Sequence, residues 1–230
     1  MKALGEILLA TTQFLTQKGV SRPRRVAEEI VAHSLHLKRL DLYLQFDRLL
    51  IETELEKMRS LLKRAAQGEP IEYIIGTLSF YGVDLKVAPV ALIPRPETEL
   101  LVDMVCKELG KESLAGKSAW DVCTGSGCIG IALKKKYPQL LLSLADVSSE
   151  ALELARENAL ANGVDVECLQ GDLLEPFVER KVDFVVCNPP YITASEYAHL
   201  DTTVRCFEPK LALVGGADGL AVYRRLKNLL

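Results

Sequence analysis

From residue 118 onward, short apolar runs alternate with helical spacing, and that alternation limits the chain to few folds. Residues 118–123, 140–146, 165–170 and 182–187 read as strands. Residues 128–136 and 149–161 read as helices, and a further helix starts near 218. Strands that each lead into a helix pair in parallel through helical crossovers, which predicts an α/β fold. In open sheets of this kind, ligands bind outside the carboxyl ends of the strands. The residues that close each strand are therefore the first candidates for a site.

The first strand runs into Asp121-Val122-Cys123-Thr124-Gly125-Ser126-Gly127-Cys128-Ile129-Gly130. Glycines at a strand-to-helix junction let the backbone pass close to a ligand and expose N–H groups at a helix N-terminus. Gly125, Gly127 and Gly130 also match the GxGxxG dinucleotide fingerprint, although a tight packing turn gives the same spacing. Asp146 ends the next strand, 21 residues after Gly125. A carboxylate there can accept both ribose hydroxyls of an adenosine-type ligand. Asp172 follows Gly171 at the end of the third strand, placed either to border an adenine or to cap a loop.

The fourth run leads into Asn188-Pro189-Pro190-Tyr191. Two prolines fix φ and remove two backbone donors, leaving rigid carbonyls that face outward. The Asn carbonyl beside them adds another uncharged acceptor. Convergent acceptors without charge suit the grip of an NH2 group; a Pro-rich turn after a strand is the plainer explanation. Hydride transfer needs no such grip beside a nucleoside site. Methyl transfer from S-adenosylmethionine to nitrogen does, because the acceptor NH2 must approach the activated methyl in line.

Residues 1 to about 68 read as short helices. Leu4, Ile7, Leu8, Phe14 and Leu15 carry the first stripe, and Gly19 offers a stop. Ser21 and Pro23 mark a second start, with Val26, Ile30 and Leu37 on one face. Thr53 and Glu56 have capping-box spacing for a third helix, which Gly68 and Pro70 end. Such a bundle, with no glycine-rich loop, suits docking. Tyr73, Ile74, Ile75, Phe80, Tyr81, Val83, Leu85 and Val87 are strand formers punctuated by Gly76 and Gly82, which predicts a β-hairpin within 71–92. Pro96, Glu97 and Glu99 then suit the first turn of a helix. The expected organisation is a helical docking domain over 1–70, a hairpin linker over 71–92 and an α/β domain over 93–230.

Composition excludes several classes. The 230 residues carry a net charge of −3 and 49% apolar content, with a pI near 5.8. No basic domain or stripe points to nucleic acid. The six cysteines form no CxxC pair, and the three histidines show no metal spacing, so free thiols in a reducing compartment and no metal are expected. Glu6 interrupts the first apolar stretch, and no run reaches the ~20 residues that span a bilayer. A cytoplasmic protein without membrane contact is expected.

Taken in order, the helical N-terminal part, FYG (80–82), IPRPETE (93–99), DxxTGSG (121–127), Asp146, GD (171–172), NPPY (188–191), FEPxxAL (207–213) and GGxDGL (215–220) resemble the release-factor glutamine N5-methyltransferases. The resemblance covers nearly the whole chain. It implies a Rossmann-like class I methyltransferase domain, and S-adenosylmethionine as cofactor. It also implies a class-1 peptide-chain release factor as the protein substrate, methylated on the glutamine of its Gly-Gly-Gln loop; a monomer is expected. Thr124, Gly125, Ser126 and Gly127 would line the methionine end of the cofactor. Asp146 would hold the ribose, and Asp172 with Leu173 would border the adenine. Asn188, also at the cofactor, and Pro189 would accept hydrogen bonds from the substrate amide, with Pro190 completing the motif and Tyr191 packing against the substrate.

Two departures stand out. Cys123 occupies a position where the family more often has glycine. The domain is also C-terminally short, since the family continues with strands that complete a seven-stranded sheet; the strand near 182 is then expected at an open sheet edge. Three other readings stay open. NPPY also suits a DNA or RNA amino-methyltransferase, against which the acidic pI weighs. GxGxxG alone would allow a nicotinamide dehydrogenase. A chain that binds S-adenosylmethionine or a release factor without turnover is the third.

Overall fold

Leu4, Leu8 and Leu15 recur at helical spacing and are buried, which fixes the inward face of the first helix. A computed structural model describes residues 2–111 and 113–230. The chain divides into two units after Gly76. In the first, β1 (Lys2–Ala3) pairs antiparallel with β2 (Leu49–Leu50). Around this small ladder lie α1 (Leu4–Gln17), α2 (Pro23–Leu35), α3 (Arg39–Tyr43), α4 (Glu52–Ala66) and α5 (Ile71–Ile75). Leu4, Leu15, Ile30, Val31, Leu42, Leu50 and Met58 form its core.

Local differences from the sequence reading have simple causes. Helix α4 starts before Thr53, because Glu54 Oε2 accepts the Ile51 N–H at 3.0 Å and caps the helix two residues earlier than the Thr53–Glu56 spacing suggests. Tyr73, Ile74 and Ile75 are helical, not extended. Pro70 opens α5, Gly76 closes it in a left-handed conformation, and the turn buries Tyr73 and Ile74. Of the 71–92 span, only β3 (Thr77–Phe80) and β4 (Val83–Lys86) form the hairpin, joined by Tyr81 and Gly82, both at positive φ.

The second unit runs from Thr77 to Leu230. Its sheet holds β5 (Ser118–Val122), β6 (Leu141–Asp146), β7 (Glu167–Gln170) and β8 (Phe184–Cys187), all parallel, in the order β7-β6-β5-β8. Strand β8 lies at an edge of this sheet, as expected. The helices are α6 (Pro96–Leu109), α7 (Cys128–Lys136), α8 (Ser149–Ala161), α9 (Ala194–Tyr197), α10 (Thr202–Phe207) and α11 (Ala221–Leu229). Among the described residues, no helix is long and apolar enough to cross a membrane.

The period of two along β5 assigns its faces. Ala119 joins the core built from Leu142, Leu144, Val102, Ile131 and Leu133, which also takes Phe80 and Leu85 of the hairpin. Trp120 and Val122 face the other way, into a core with Ala145, Leu173 and Phe177 on which Val222 and Leu226 of α11 pack. Trp120 stacks on Phe177 with ring centroids 4.0 Å apart. The chain leaves β5 toward β6 on one side and returns to β8 on the other. The carboxyl ends of these strands therefore border a crevice at a topological switch point.

Gly130 sets how closely α7 approaches the sheet. A Cβ there would lie 2.2 Å from Leu144 Cδ2 and 2.9 Å from Leu142 Cδ2. Gly130→Ala is expected to lose about 1–3 kcal/mol through overpacking, measured by urea unfolding; an unchanged midpoint would show that the interface can relax.

Candidate active site

The crevice at the strand ends holds a cavity of about 300 Å3, at the lower end of the usual size for ligand pockets. The glycine loop forms its floor. Asp121, the second-to-last residue of β5 before that loop, is 1% exposed. Its Oδ2 accepts the Thr124 hydroxyl at 2.6 Å and the Gly130 N–H at 2.9 Å. One carboxylate oxygen thus joins the start of the loop to the start of α7. The Thr124 N–H donates to the Ala145 carbonyl at 3.0 Å, which ties the loop to β6. Gly127 takes φ +82 as the residue before α7, and a Cβ there would meet Ile131 Cδ1 at 2.7 Å. It is therefore held by packing and lies outside the cavity lining, whereas Thr124, Gly125 and Ser126 line it.

Asp146 stands at the end of β6 and lines the cavity. Its Oδ2 accepts the Gly125 N–H at 2.8 Å and its Oδ1 the Ser148 N–H at 3.0 Å. Ser148 in turn caps α8 by accepting the Ala151 N–H. The carboxylate predicted for a ribose is thus already oriented by two backbone donors. Asp172 and Leu173 also line the cavity. Asp172 pairs with Arg225 of α11, a partner that lies 53 positions away and that strand-end reasoning does not find.

Asn188 and Pro190 line the cavity directly after β8; Pro189 and Tyr191 lie outside the lining, and Tyr191 is 59% exposed. Among the described residues, the Asn188 side-chain amide has no hydrogen-bond partner. It is free to meet a ligand. The thiols of Cys128 and Cys187 are poor nucleophiles. Burial pushes the Cys128 thiol up to about 12, and the Cys187 thiol is raised by its hydrogen bond with Cys123 and by burial.

Sequence reasoning missed much of the cavity wall. Val90, Ala91, Leu92, Pro94 and Thr98 come from the segment that contains IPRPETE, and Pro209, Leu211, Ala212 and Val214 from the one that contains FEPxxAL. The two segments are fastened together by Glu208, whose side chain is 1% exposed. Its Oε2 accepts the Ile93 N–H at 3.2 Å, and its Oε1 pairs with Arg95. The signal was present as an Arg in one unusual motif and a Glu in the other.

Two measurements test this geometry. Burial pushes the Asp121 carboxyl up to about 6 from its ordinary 3.8, against the lowering effect of its two donors. The folded state therefore binds this proton more tightly than the unfolded state. Its stabilising effect is complete below pH 4 and is lost as the pH rises to about 6. Asp121→Asn is expected to abolish this window, flattening the stability–pH curve by about 2–3 kcal/mol; a slope shared with the parent chain would assign it elsewhere. Cys123 sits at φ +58, a conformation that costs a side chain about 1–2 kcal/mol. Cys123→Gly is expected to gain up to about 1 kcal/mol in thermal unfolding once the added entropy of the unfolded glycine is subtracted.

Comparison with known proteins identifies the family. The family model of the Methyltransferase small domain matches residues 96–209, and that of the PrmC N-terminal domain matches residues 6–76. The release factor glutamine methyltransferase of Geobacter sulfurreducens is 38% identical over 219 residues, covering 95% of this chain and 76% of that protein. The Chlorobaculum tepidum enzyme is 42% identical, with 91% and 74% covered, and that of Bacillus subtilis 38% identical, with 98% and 79% covered. With identity of this level along nearly its whole length, the chain belongs to the release factor glutamine methyltransferase family.

Proposed function

We propose that this chain transfers the methyl group of S-adenosylmethionine to the side-chain amide nitrogen (N5) of the glutamine in the Gly-Gly-Gln loop of a class-1 peptide-chain release factor. The observation that carries the reading is the unpartnered amide of Asn188 at the rim of a nucleoside-sized cavity. It stands beside two prolines, which have no N–H to donate to a ladder.

The residues present fit the cofactor. Gly125 takes φ +55, and a Cβ there would meet only Ala91 Cβ, at 3.8 Å, so the loop backbone stays open to a ligand. Thr124, Gly125 and Ser126 would border the methionine end. Gly127 would act through the shape of the turn. Asp146, held by Gly125 and Ser148, would take the ribose hydroxyls. Asp172 and Leu173 would flank the adenine. When bound, S-adenosylmethionine supplies a methyl group on a sulfonium, activated toward nucleophiles.

The chain's own task is positional. An amide nitrogen is a weak nucleophile because its lone pair is delocalised into the carbonyl. The Asn188 side-chain oxygen and the Pro189 carbonyl would each accept one N–H of the glutamine amide. They would turn its nitrogen toward the cofactor and stabilise the positive charge that develops there. Pro190 keeps this backbone rigid, and exposed Tyr191 would pack against the incoming loop. The unit that ends at Gly76 would serve release-factor docking. The reading places the enzyme in the cytoplasm, acting as a monomer on protein and not on nucleic acid.

Incubation of the purified chain with S-adenosylmethionine and an unmodified release factor is expected to add one methyl to the Gly-Gly-Gln glutamine, read by peptide mass spectrometry. Absence of that methyl overturns the reading. Asn188→Ala is expected to lower the transfer rate by ~10²–10³, the effect of losing one preorganised polar contact; near-parental turnover would remove Asn188 from its role.

A further inference from the structure

The segment after FEPxxAL runs alongside the NPPY loop and touches its backbone. Ile192 and Val214 form a parallel bridge. The Ile192 N–H donates to the Leu213 carbonyl at 2.9 Å, and the Gly215 N–H returns the bond to the Ile192 carbonyl at 2.9 Å. Ala194 N–H then donates to the Gly216 carbonyl, and Ala221 N–H to that of Gly215, each at 3.0 Å. Asp218 closes the turn by accepting the Leu220 N–H and pairing with Arg224.

Two glycines make this approach possible. A Cβ on Gly215 would lie 2.4 Å from the Pro190 oxygen and 2.8 Å from Tyr191 Cα. A Cβ on Gly219 would lie 2.2 Å from the Tyr191 oxygen. All three distances fall well inside the ~3.5 Å at which non-bonded atoms rest, and the atoms met are backbone, which cannot rotate away. We propose that Gly215 and Gly219 are positioning residues for methyl transfer: they let the 213–221 turn grip Pro190 and Tyr191, and so fix where Asn188 presents its amide. This rests on the proposed function.

The grip matters because, among the described residues, the backbone bonds that hold the end of the motif come from this turn. Strand β8 ends at Cys187, Pro189 and Pro190 donate no hydrogen bonds, and Tyr191 is largely exposed. The first ladder contact after the prolines is Ile192 with the 213–215 backbone. The prolines give the loop stiffness, and the glycine turn gives it a location.

Gly216 supplies the control. It lies in the same turn at φ +96, but a Cβ there would meet only Ala221 Cβ, at 2.8 Å. Gly216→Ala therefore strains the turn without pressing on residues 190 and 191. The experiment compares Gly215→Ala, Gly219→Ala and Gly216→Ala for kcat and KM toward release factor, for the Kd of S-adenosylmethionine, and for amide exchange at Ile192. The expected result is a fall in kcat of about 10- to 100-fold in the first two, the effect of a misplacement near 1 Å, with the cofactor Kd unchanged and Gly216→Ala close to the parent. Ile192 exchange is expected to speed up only in the first two. Equal losses in all three, or parental kcat in Gly215→Ala and Gly219→Ala, overturn the proposal in favour of plain turn strain. Gly215 is not at positive φ, so its variant stands if Gly219→Ala fails to fold. If the parent chain transfers no methyl, the proposed function fails and the positioning role with it, while the exchange comparison still shows whether the glycine turn holds the loop at Ile192.

Discussion

A single buried carboxylate oxygen holds the nucleotide side of this molecule together. Asp121 Oδ2 accepts from Thr124 at one end of the glycine loop and from Gly130 at the other. Without it, a loop rich in glycine would be free to sample many backbone states, each glycine adding conformational entropy. The arrangement has a cost. The carboxyl is buried so deeply that its charged form is disfavoured, and its second oxygen finds no partner. The cost is accepted where loop geometry decides ligand binding, and the order passes on through Thr124 to β6 and through Gly125 to Asp146.

The far wall of the cavity obeys the same logic with a different carboxylate. Glu208 reaches Ile93 and Arg95 across 115 and 113 positions of sequence. A buried carboxylate that bonds a backbone N–H and a guanidinium at once specifies one arrangement of two loops, because either bond alone would leave charge unsatisfied in the interior. Asn158 performs a neutral version of this task. Fully buried, it accepts from Lys86 N–H at 2.7 Å and donates to the carbonyls of Lys86 and Ser126, so that the hairpin is tied to the glycine loop. The cavity is thus assembled by polar side chains that bridge loops, over a sheet assembled by apolar ones.

That division explains what was legible in the sequence. Helices α7 and α8 were read to the residue; a glycine turn precedes the first, and in the structure Ser148 caps the second. Three strands came out one or two residues too long at their starts and the first one residue too long at its end, because the runs extend beyond the ladder. Tyr73–Ile75 misled because β-branched and aromatic residues in a short run fit a strand or a buried helical turn equally, and here Pro70 and Gly76 chose the turn. Strand-end residues such as Asp146 and Asn188 were legible because topology alone puts them at the crevice. The 90–94 and 209–214 walls and Arg225 were not. Their place depends on contacts more than fifty positions away, which no local pattern encodes.

The distribution of charge around the cavity argues for a mechanism of orientation. Its lining contains two carboxylates, Asp146 and Asp172. The first is committed to Gly125 and Ser148, the second to Arg225. Asp121 lies behind the loop, with the oxygen nearest Thr124 already shared. The thiols at 128 and 187 are held in their neutral forms. What remains open beside the NPPY backbone is an uncharged amide. A strong base there would be of little use against an amide N–H, whose proton becomes acidic only after the nitrogen has gained its methyl and its positive charge. Neutral acceptors serve both stages: they align the NH2 before transfer, and their partial charges meet the cation as it forms, without the desolvation cost of a buried ion. On the proposed function, the chemistry would depend on where the Asn188 amide stands, and so on the backbone that carries it and on the glycine turn against which that backbone rests.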